Sequence, residues 1–231
     1  MINIEELKNK ITFADCFEIM QQLPDKCIDL AFIDPPYGKK CDGGSYGFGL
    51  TPKQYQKKKW DEKIPDKKVF DEIFRVSKNQ IIFGGNYFSE YLPPTNAWVV
   101  WDKVSDYNFK NDFSQCELLW TSYSFAMKKF IFVQQGFVNG DPAEALENRW
   151  HPTKKPLKLA EMILLWLLQT KRLEGDALVA DFYSGSGTFA IACHNLGLDF
   201  IATENDTDYY PLSVARLEKA QAQQKLNLWG C

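Results

Sequence analysis

Four consecutive residues, Asp34, Pro35, Pro36 and Tyr37, close an apolar run and carry groups suited to one chemical task. That task is methylation of an aromatic amine. The amino lone pair of adenine or cytosine is delocalised into the ring, which makes it a poor nucleophile. Acceptors placed on both N–H groups pull the nitrogen toward tetrahedral geometry and aim the lone pair at a sulfonium methyl. The Asp34 carboxylate can accept one such bond and the backbone carbonyl of Pro35 the other. The prolines restrict φ and remove competing donors, which holds both acceptors in place. Tyr37 supplies a face on which a base can stack. Positioning and electrostatics then do the catalysis, with no covalent intermediate. The competing reading is a strand end with a proline-rich turn.

A second run, Asp181, Phe182, Tyr183, Ser184, Gly185, Ser186, Gly187 and Thr188, lies between a predicted strand and a predicted helix. Its glycines permit a sharp turn and close backbone approach to a ligand. The helix start offers free N–H groups and positive dipole character, which suits a phosphate or a carboxylate. Glu204 ends the next predicted strand, where an acidic group typically holds ribose hydroxyls. Alone, this run also fits the loose nicotinamide-dinucleotide fingerprint through Gly185, Gly187 and Ala190, or a plain strand-to-helix turn. No Lys-Ser or Lys-Thr follows the glycines, so a nucleoside triphosphate is not indicated. A dehydrogenase would leave the Asp34 segment unexplained.

These residues must be positioned by a sheet. Ile11 to Ala14 runs into Asp15, and Ile28 to Ile33 runs into Asp34, so each predicts a short buried strand presenting a carboxylate at its end. Phe17, Met20 and Leu23 recur between them at helical spacing. A helix is expected from near Pro65, with Val69, Ile73 and Val76 on one face. Further strands are expected at Gln80–Phe83 and Ala97–Trp101, and at Glu117–Thr121 and Phe130–Val133 as a hairpin. Residues 134–150 read mostly as loop. Thr153 is expected to cap a helix with Pro156 in its first turn and an apolar face of Leu159, Met162, Ile163, Trp166 and Leu167. A strand at Ala177–Ala180, a helix, a strand at Phe200–Thr203 and a last amphipathic helix follow. The pattern is α/β, with an open and mainly parallel sheet.

Composition narrows the partners. The 231 residues are 45% hydrophobic and 25% charged, as in ordinary globular chains. Net charge is −3, so a nucleic-acid partner needs a local basic patch. Residues 38–68 supply one: nine lysines, among them Lys39, Lys40, Lys57, Lys58 and Lys59, face only four acidic residues. A solvated loop is the alternative for that stretch. The six cysteines form no CxxC pair, and Glu5, Glu6 and Lys8 interrupt any secretory leader, which fits reduced thiols in a cytosol. Two widely spaced histidines give no metal-ligand pattern, so no metal is expected. No apolar run is long enough for a membrane span.

Together, Asp34-Pro35-Pro36-Tyr37, the glycine run at 181–188 and His151-Pro152-Thr153-Lys154-Lys155-Pro156 resemble the amino-methyltransferases of DNA. Their order, catalytic segment first and glycine run last, is similar to the circularly permuted β group of N6-adenine and N4-cytosine enzymes. The resemblance covers nearly the whole chain. It implies a single S-adenosylmethionine-dependent methyltransferase domain over 1–231, Rossmann-like, with a mainly parallel seven-stranded sheet. It implies S-adenosylmethionine at the glycine run, with Asp181, Phe182, Ser184, Gly185, Gly187 and Thr188 around it and Glu204 on its ribose. Asp15 matches a position that contacts the cofactor's adenine. Thr153 and Lys155 match a segment closing the methionine end. Aspartate at position 34 leans toward adenine N6, since serine there leans toward cytosine N4. Double-stranded DNA is the implied substrate, with its base flipped out. Phosphate contacts fall to Lys39, Lys40, Lys57, Lys58 and Lys59, and a homodimer is compatible with the resemblance. RNA or protein methylation, or nucleic-acid binding without turnover, stand as alternatives.

One departure matters. Members with defined targets carry a long recognition region between the catalytic half and the His-Pro-Thr segment, whereas only 102–150 is available here, beside the 38–68 loop. Trp60, Tyr107 and Phe109 are candidates for DNA contact or, more simply, for packing.

Overall fold

Apolar runs with a two-residue period and helices with one apolar face assemble into a three-layer α/β sandwich. The computed structural model describes residues 2–41, 44–46, 53–55, 57–106, 113–135, 138–141 and 150–229. In chain order the elements are β1 (Ile11–Phe13), α1 (Cys16–Met20), β2 (Ile28–Ile33), β3 (Gly44–Tyr46), β4 (Lys53–Tyr55), α2 (Lys67–Val76), β5 (Ser77–Phe83) and β6 (Val99–Asp102). They continue with β7 (Cys116–Thr121), β8 (Lys128–Ile131), β9 (Gln134–Gln135), β10 (Val138–Asn139), α3 (Leu157–Gln169), β11 (Leu178–Asp181), α4 (Thr188–Asn195), β12 (Asp199–Glu204) and α5 (Tyr209–Trp229).

Eight strands form the main sheet in the order β1-β12-β11-β2-β5-β7-β6-β8. Every pairing is parallel except those of β7, which runs antiparallel to both β5 and β6. The sheet therefore has one strand more than the seven that the family resemblance implies. The expected hairpin of β7 with β8 does not form. β6 lies between them, pairing antiparallel with β7 and parallel with β8.

Alternation along the strands feeds two cores. Leu30 and Phe32 of β2, Ile81 and Phe83 of β5, and Phe200 and Ala202 of β12 face the layer of α3 and α4, with Leu159, Ile163, Leu167 and Phe189. Ala31, Ile33, Ile82 and Ile201 face the layer of α1 and α2, with Ile19, Met20, Val69, Phe70 and Ile73. Covering both faces explains why β2 is an almost unbroken apolar run. Arg75, at the end of α2, donates to the carbonyls of Met20 at 2.6 Å and Leu23 at 2.9 Å and pairs with Glu72 and Asp25. It thereby ties α2 to the end of α1.

Two local expectations are corrected. Thr153 does not cap α3: Pro156 occupies the N-cap position and contributes no side-chain bond, while Thr153 sits half-buried in the preceding turn. The 38–68 stretch is not loop throughout, because β3 and β4 pair antiparallel within it. No helix among the described residues is long and apolar enough to cross a membrane.

Candidate active site

Parallel register brings the acidic strand ends to one edge of the sheet. Phe13 lies opposite Glu204, Asp181 opposite Ala202, and Ala180 opposite Ala31, three residues before Asp34. Open α/β sheets bind ligands at this carboxyl edge.

Asp34 leaves β2 directly after Ile33, followed by the buried Pro35 and half-buried Pro36. Tyr37 stacks on Tyr87 at 4.9 Å between ring centroids and meets Phe88 edge-on at 6.0 Å. Gly84, with φ +64°, completes its seat: a Cβ there would lie 2.3 Å from Tyr37 Cε1. Only glycine allows both that backbone conformation and that approach.

The Tyr37 hydroxyl lies 2.5 Å from Asp34 Oδ1 and 2.5 Å from Glu117 Oε1. Lys155 Nζ donates to Asp34 Oδ2 at 2.6 Å and lies 3.3 Å from both Glu117 Oε1 and the Tyr37 hydroxyl. Lys103 Nζ takes the outer oxygen of Glu117, Oε2, at 2.7 Å. The side chains of Asp34, Glu117 and Lys155 are 17%, 9% and 10% exposed. Two anions and two cations thus balance around Asp34 and Tyr37, and removing one would leave a largely buried charge without its partner.

Burial pushes the Asp34 carboxyl up, with Lys155 opposing and Glu117 adding to the rise. Burial also acts on Glu117, but Lys155 and Lys103 outweigh it and hold this carboxyl down to about 2. Burial works to lower Lys155, yet Asp34 and Glu117 keep it above the ordinary lysine value. Burial and the two carboxylates raise Tyr37 well above the ordinary phenol value, so its hydroxyl stays protonated and donates. Having one proton, it donates to one carboxylate at a time.

Beside this network, residues 181–188 fold as a tight loop between β11 and α4. Glu204 braces it, accepting Gly185 N at 2.7 Å and Asp206 N at 2.8 Å. Ser184 N donates to Thr203 O, and Gly187 N to Ser184 O at 2.7 Å. Gly185 and Gly187 have φ +49° and +75°. A Cβ on Gly185 would meet His151 Nε2 at 3.2 Å, and one on Gly187 would meet Ile11 Cδ1 at 3.1 Å. Asp181 Oδ1 accepts Tyr183 N at 3.2 Å, whereas its Oδ2, like Ser184 Oγ and His151 Nδ1, is buried with no hydrogen-bond partner among the described residues. Burial pushes Asp181 well above the carboxylate range. Burial, with Lys155 nearby, lowers His151 to about 3, which keeps it neutral. Buried polar atoms left open around a glycine loop are what a polar ligand would satisfy.

The remaining predicted residues divide. Thr188 Oγ1 donates to the carbonyl of Lys155 at 3.2 Å, so the 151–156 segment does pack on the start of α4. The Lys155 ammonium itself points to Asp34 rather than to the glycine loop. Phe182 is 2% exposed and packs into the core beneath the loop. Asp15 is exposed and caps α1, accepting Phe17 N at 2.8 Å. Lys39, Lys40, Lys57 and Lys59 are exposed, with the Lys39 ammonium 4.3 Å from the Tyr87 ring centroid. Lys58 is instead paired with Asp206 and Asp208 beside the start of α5. Trp60 is half-buried and stacks on His151 at 5.8 Å between ring centroids. Tyr107 and Phe109 lie outside the described residues. Among the described residues no cluster of three or more metal-ligating side chains occurs.

Sequence reasoning missed three residues. Glu117 and Lys103 complete the charge network. Asp61, 3% exposed, holds the exit of the catalytic segment by accepting Gly38 N at 2.9 Å and Cys41 N at 2.8 Å. A signal for Glu117 existed: in β7 it shares a face with Leu119 and Thr121, both fully buried.

Comparison with known proteins agrees with this geometry. The DNA methylase model of the N6/N4 methyltransferases matches residues 52–215. The Type II methyltransferase M2.MboI of Moraxella bovis is 24% identical over 88% of this chain and 85% of its own length. The structure of the M1.HpyAVI–SAM complex has a TM-score of 0.58 at 20% identity, covering 90% of this chain and 98% of that one. PvuII DNA methyltransferase, described as cytosine-N4-specific, has a TM-score of 0.56 at 14% identity, covering 92% and 89%. With a half-buried carboxylate and a glycine loop on adjacent strand ends, the fold of these enzymes, and a family model spanning most of its length, this chain belongs to the N6/N4 DNA methylase family.

Proposed function

We propose that this protein transfers the methyl group of S-adenosylmethionine to the N6 amine of an adenine flipped out of double-stranded DNA. The observation that carries the reading is the half-buried Asp34 carboxylate, held between Tyr37 and Lys155 one strand away from the glycine loop. The open polar atoms Asp181 Oδ2, Ser184 Oγ and His151 Nδ1 fit a cofactor with ammonium, carboxylate and hydroxyl groups. Asp181, Ser184, Gly185, Gly187 and Thr188 would hold its methionine end, and Glu204 its ribose. When bound, the cofactor supplies an electrophilic sulfonium methyl. Asp34 and the Pro35 carbonyl accept the two N–H groups of the amine and orient its lone pair. Lys39, Lys40, Lys57 and Lys59 contact phosphates.

Aspartate rather than serine at position 34 supports adenine. The cytosine-N4 reading is kept as a second possibility, because a relative described as specific for that atom shares the fold. The test is digestion to nucleosides of mixed-sequence duplex DNA methylated with labelled cofactor. Label in N6-methyladenine is expected. Label confined to N4-methylcytosine would overturn the base, and label appearing only in RNA or protein would overturn the substrate.

A further inference from the structure

Both oxygens of Asp34 are occupied. Oδ1 is 2.5 Å from the Tyr37 hydroxyl and Oδ2 is 2.6 Å from the Lys155 ammonium. An amine that is to donate an N–H to Asp34 must share an oxygen with one of these donors or displace it, and displacement leaves that oxygen wholly to the amine. Dislodging a buried hydroxyl or ammonium without giving it another acceptor is unfavourable. One acceptor is already in reach of both: Glu117 Oε1, 2.5 Å from the hydroxyl and 3.3 Å from the ammonium.

We propose that Glu117 is a positioning residue for methyl transfer, an exchange acceptor that takes the Tyr37 proton and the Lys155 ammonium when the target amine claims Asp34. Glu117 touches neither base nor cofactor in this role. The hydroxyl rotates its single proton from Asp34 Oδ1 to Glu117 Oε1, and Asp34 Oδ1 becomes an open acceptor for the N–H of the base. Lys155 shifts its weight from Oδ2 toward Glu117, so neither donor is orphaned. Lys103, on Glu117 Oε2, keeps the exchange acceptor ionised and fixed from the outer side. The Tyr37 ring need not move, which suits its tight seat between Tyr87 and Gly84.

The inference rests on the assignment of Asp34 to the base amine. Glu117→Gln keeps the shape but weakens the acceptor. With saturating DNA and S-adenosylmethionine, single-turnover methyl transfer should fall roughly tenfold or more, the scale of one buried charge-assisted hydrogen bond. Cofactor affinity by calorimetry should stay within about twofold, because Glu117 does not reach the glycine loop. Asp34 loses a neighbouring negative charge in this variant, so the acid limb of the rate against pH should move to lower pH even as the plateau falls. That shift follows from the lost charge alone, so the readout that separates the exchange role from a structural one is the coupling to Tyr37. Tyr37→Phe removes the hydroxyl that Glu117 must receive, so in that background Glu117→Gln should cost less than it does in the wild-type protein. Should the glutamine variant fail to fold, Glu117→Asp keeps the charge but withdraws the oxygen from Tyr37, and a similar rate loss without a limb shift is expected.

A Glu117 variant that folds and transfers at the wild-type rate would overturn the proposal, as would losses that multiply. If Asp34→Ala abolishes transfer while Glu117→Gln is silent, only the exchange role fails. If the wild-type protein methylates no DNA, the functional reading fails first.

Discussion

At the scale of the residue, the site keeps several ionisable groups away from their preferred states. Asp181 is the clearest, buried with one oxygen unpartnered and its pKa pushed well up. A carboxyl raised on folding binds its proton more tightly in the folded state, so it subtracts stability as pH rises above its unfolded value. Asp181→Asn removes that charge while keeping an acceptor for Tyr183 N. Its melting temperature without cofactor should rise, by a gain of about 1 kcal/mol, while S-adenosylmethionine affinity by calorimetry should fall. A lower melting temperature with unchanged affinity would contradict the cofactor role. Glu117 behaves oppositely. Its folded pKa of about 2 lies below the ordinary 4.5, so its contribution is present above pH 4.5 and is lost as pH falls through about 2. Lys155→Met should therefore destabilise the protein by about 3 kcal/mol at pH 7, because two buried carboxylates are left facing each other. Denaturant midpoints should show part of that loss recovered toward acid pH as Asp34 takes up a proton.

At the scale of the element, the turn after β5 is as decisive as the catalytic segment. Gly84 at φ +64° lets the chain pass under Tyr37. Gly84→Ala should destabilise by about 2 kcal/mol or more and displace Tyr37, lowering methyl transfer more than cofactor binding. Transfer unchanged by this substitution would mean that the Tyr37 seat does not matter. This scale also marks where sequence reasoning succeeds and stops. Asp34–Tyr37 and Asp181–Thr188 were legible because each is a contiguous run whose chemistry is local. Glu117 was legible only as an inward position of its strand; its meeting with Tyr37 was not, because the two lie 80 positions apart and join through an antiparallel strand. A β7–β8 hairpin follows from the tendency of strands adjacent in sequence to pair, but β6 inserts between them. Thr153 resembled a cap by residue type, but Pro156 already starts the helix.

At the scale of the molecule, the chain is acidic overall and must meet DNA through a basic margin. Lys58 is committed to Asp206 and Asp208, leaving Lys39, Lys40, Lys57 and Lys59 exposed. DNA affinity should fall linearly with the logarithm of salt concentration, and replacing Lys39 and Lys40 by alanine should reduce that slope by about 2. A slope unchanged by the double substitution would place the phosphate contacts elsewhere. The most direct measurement of the whole account is Asp34→Ala, read for cofactor binding and for methyl transfer to duplex DNA in the same preparation. In the proposed role Asp34 acts on the base and not on the cofactor, so S-adenosylmethionine affinity should stay near wild type while transfer falls by about 10³ or more. Transfer at near wild-type rate would contradict the account.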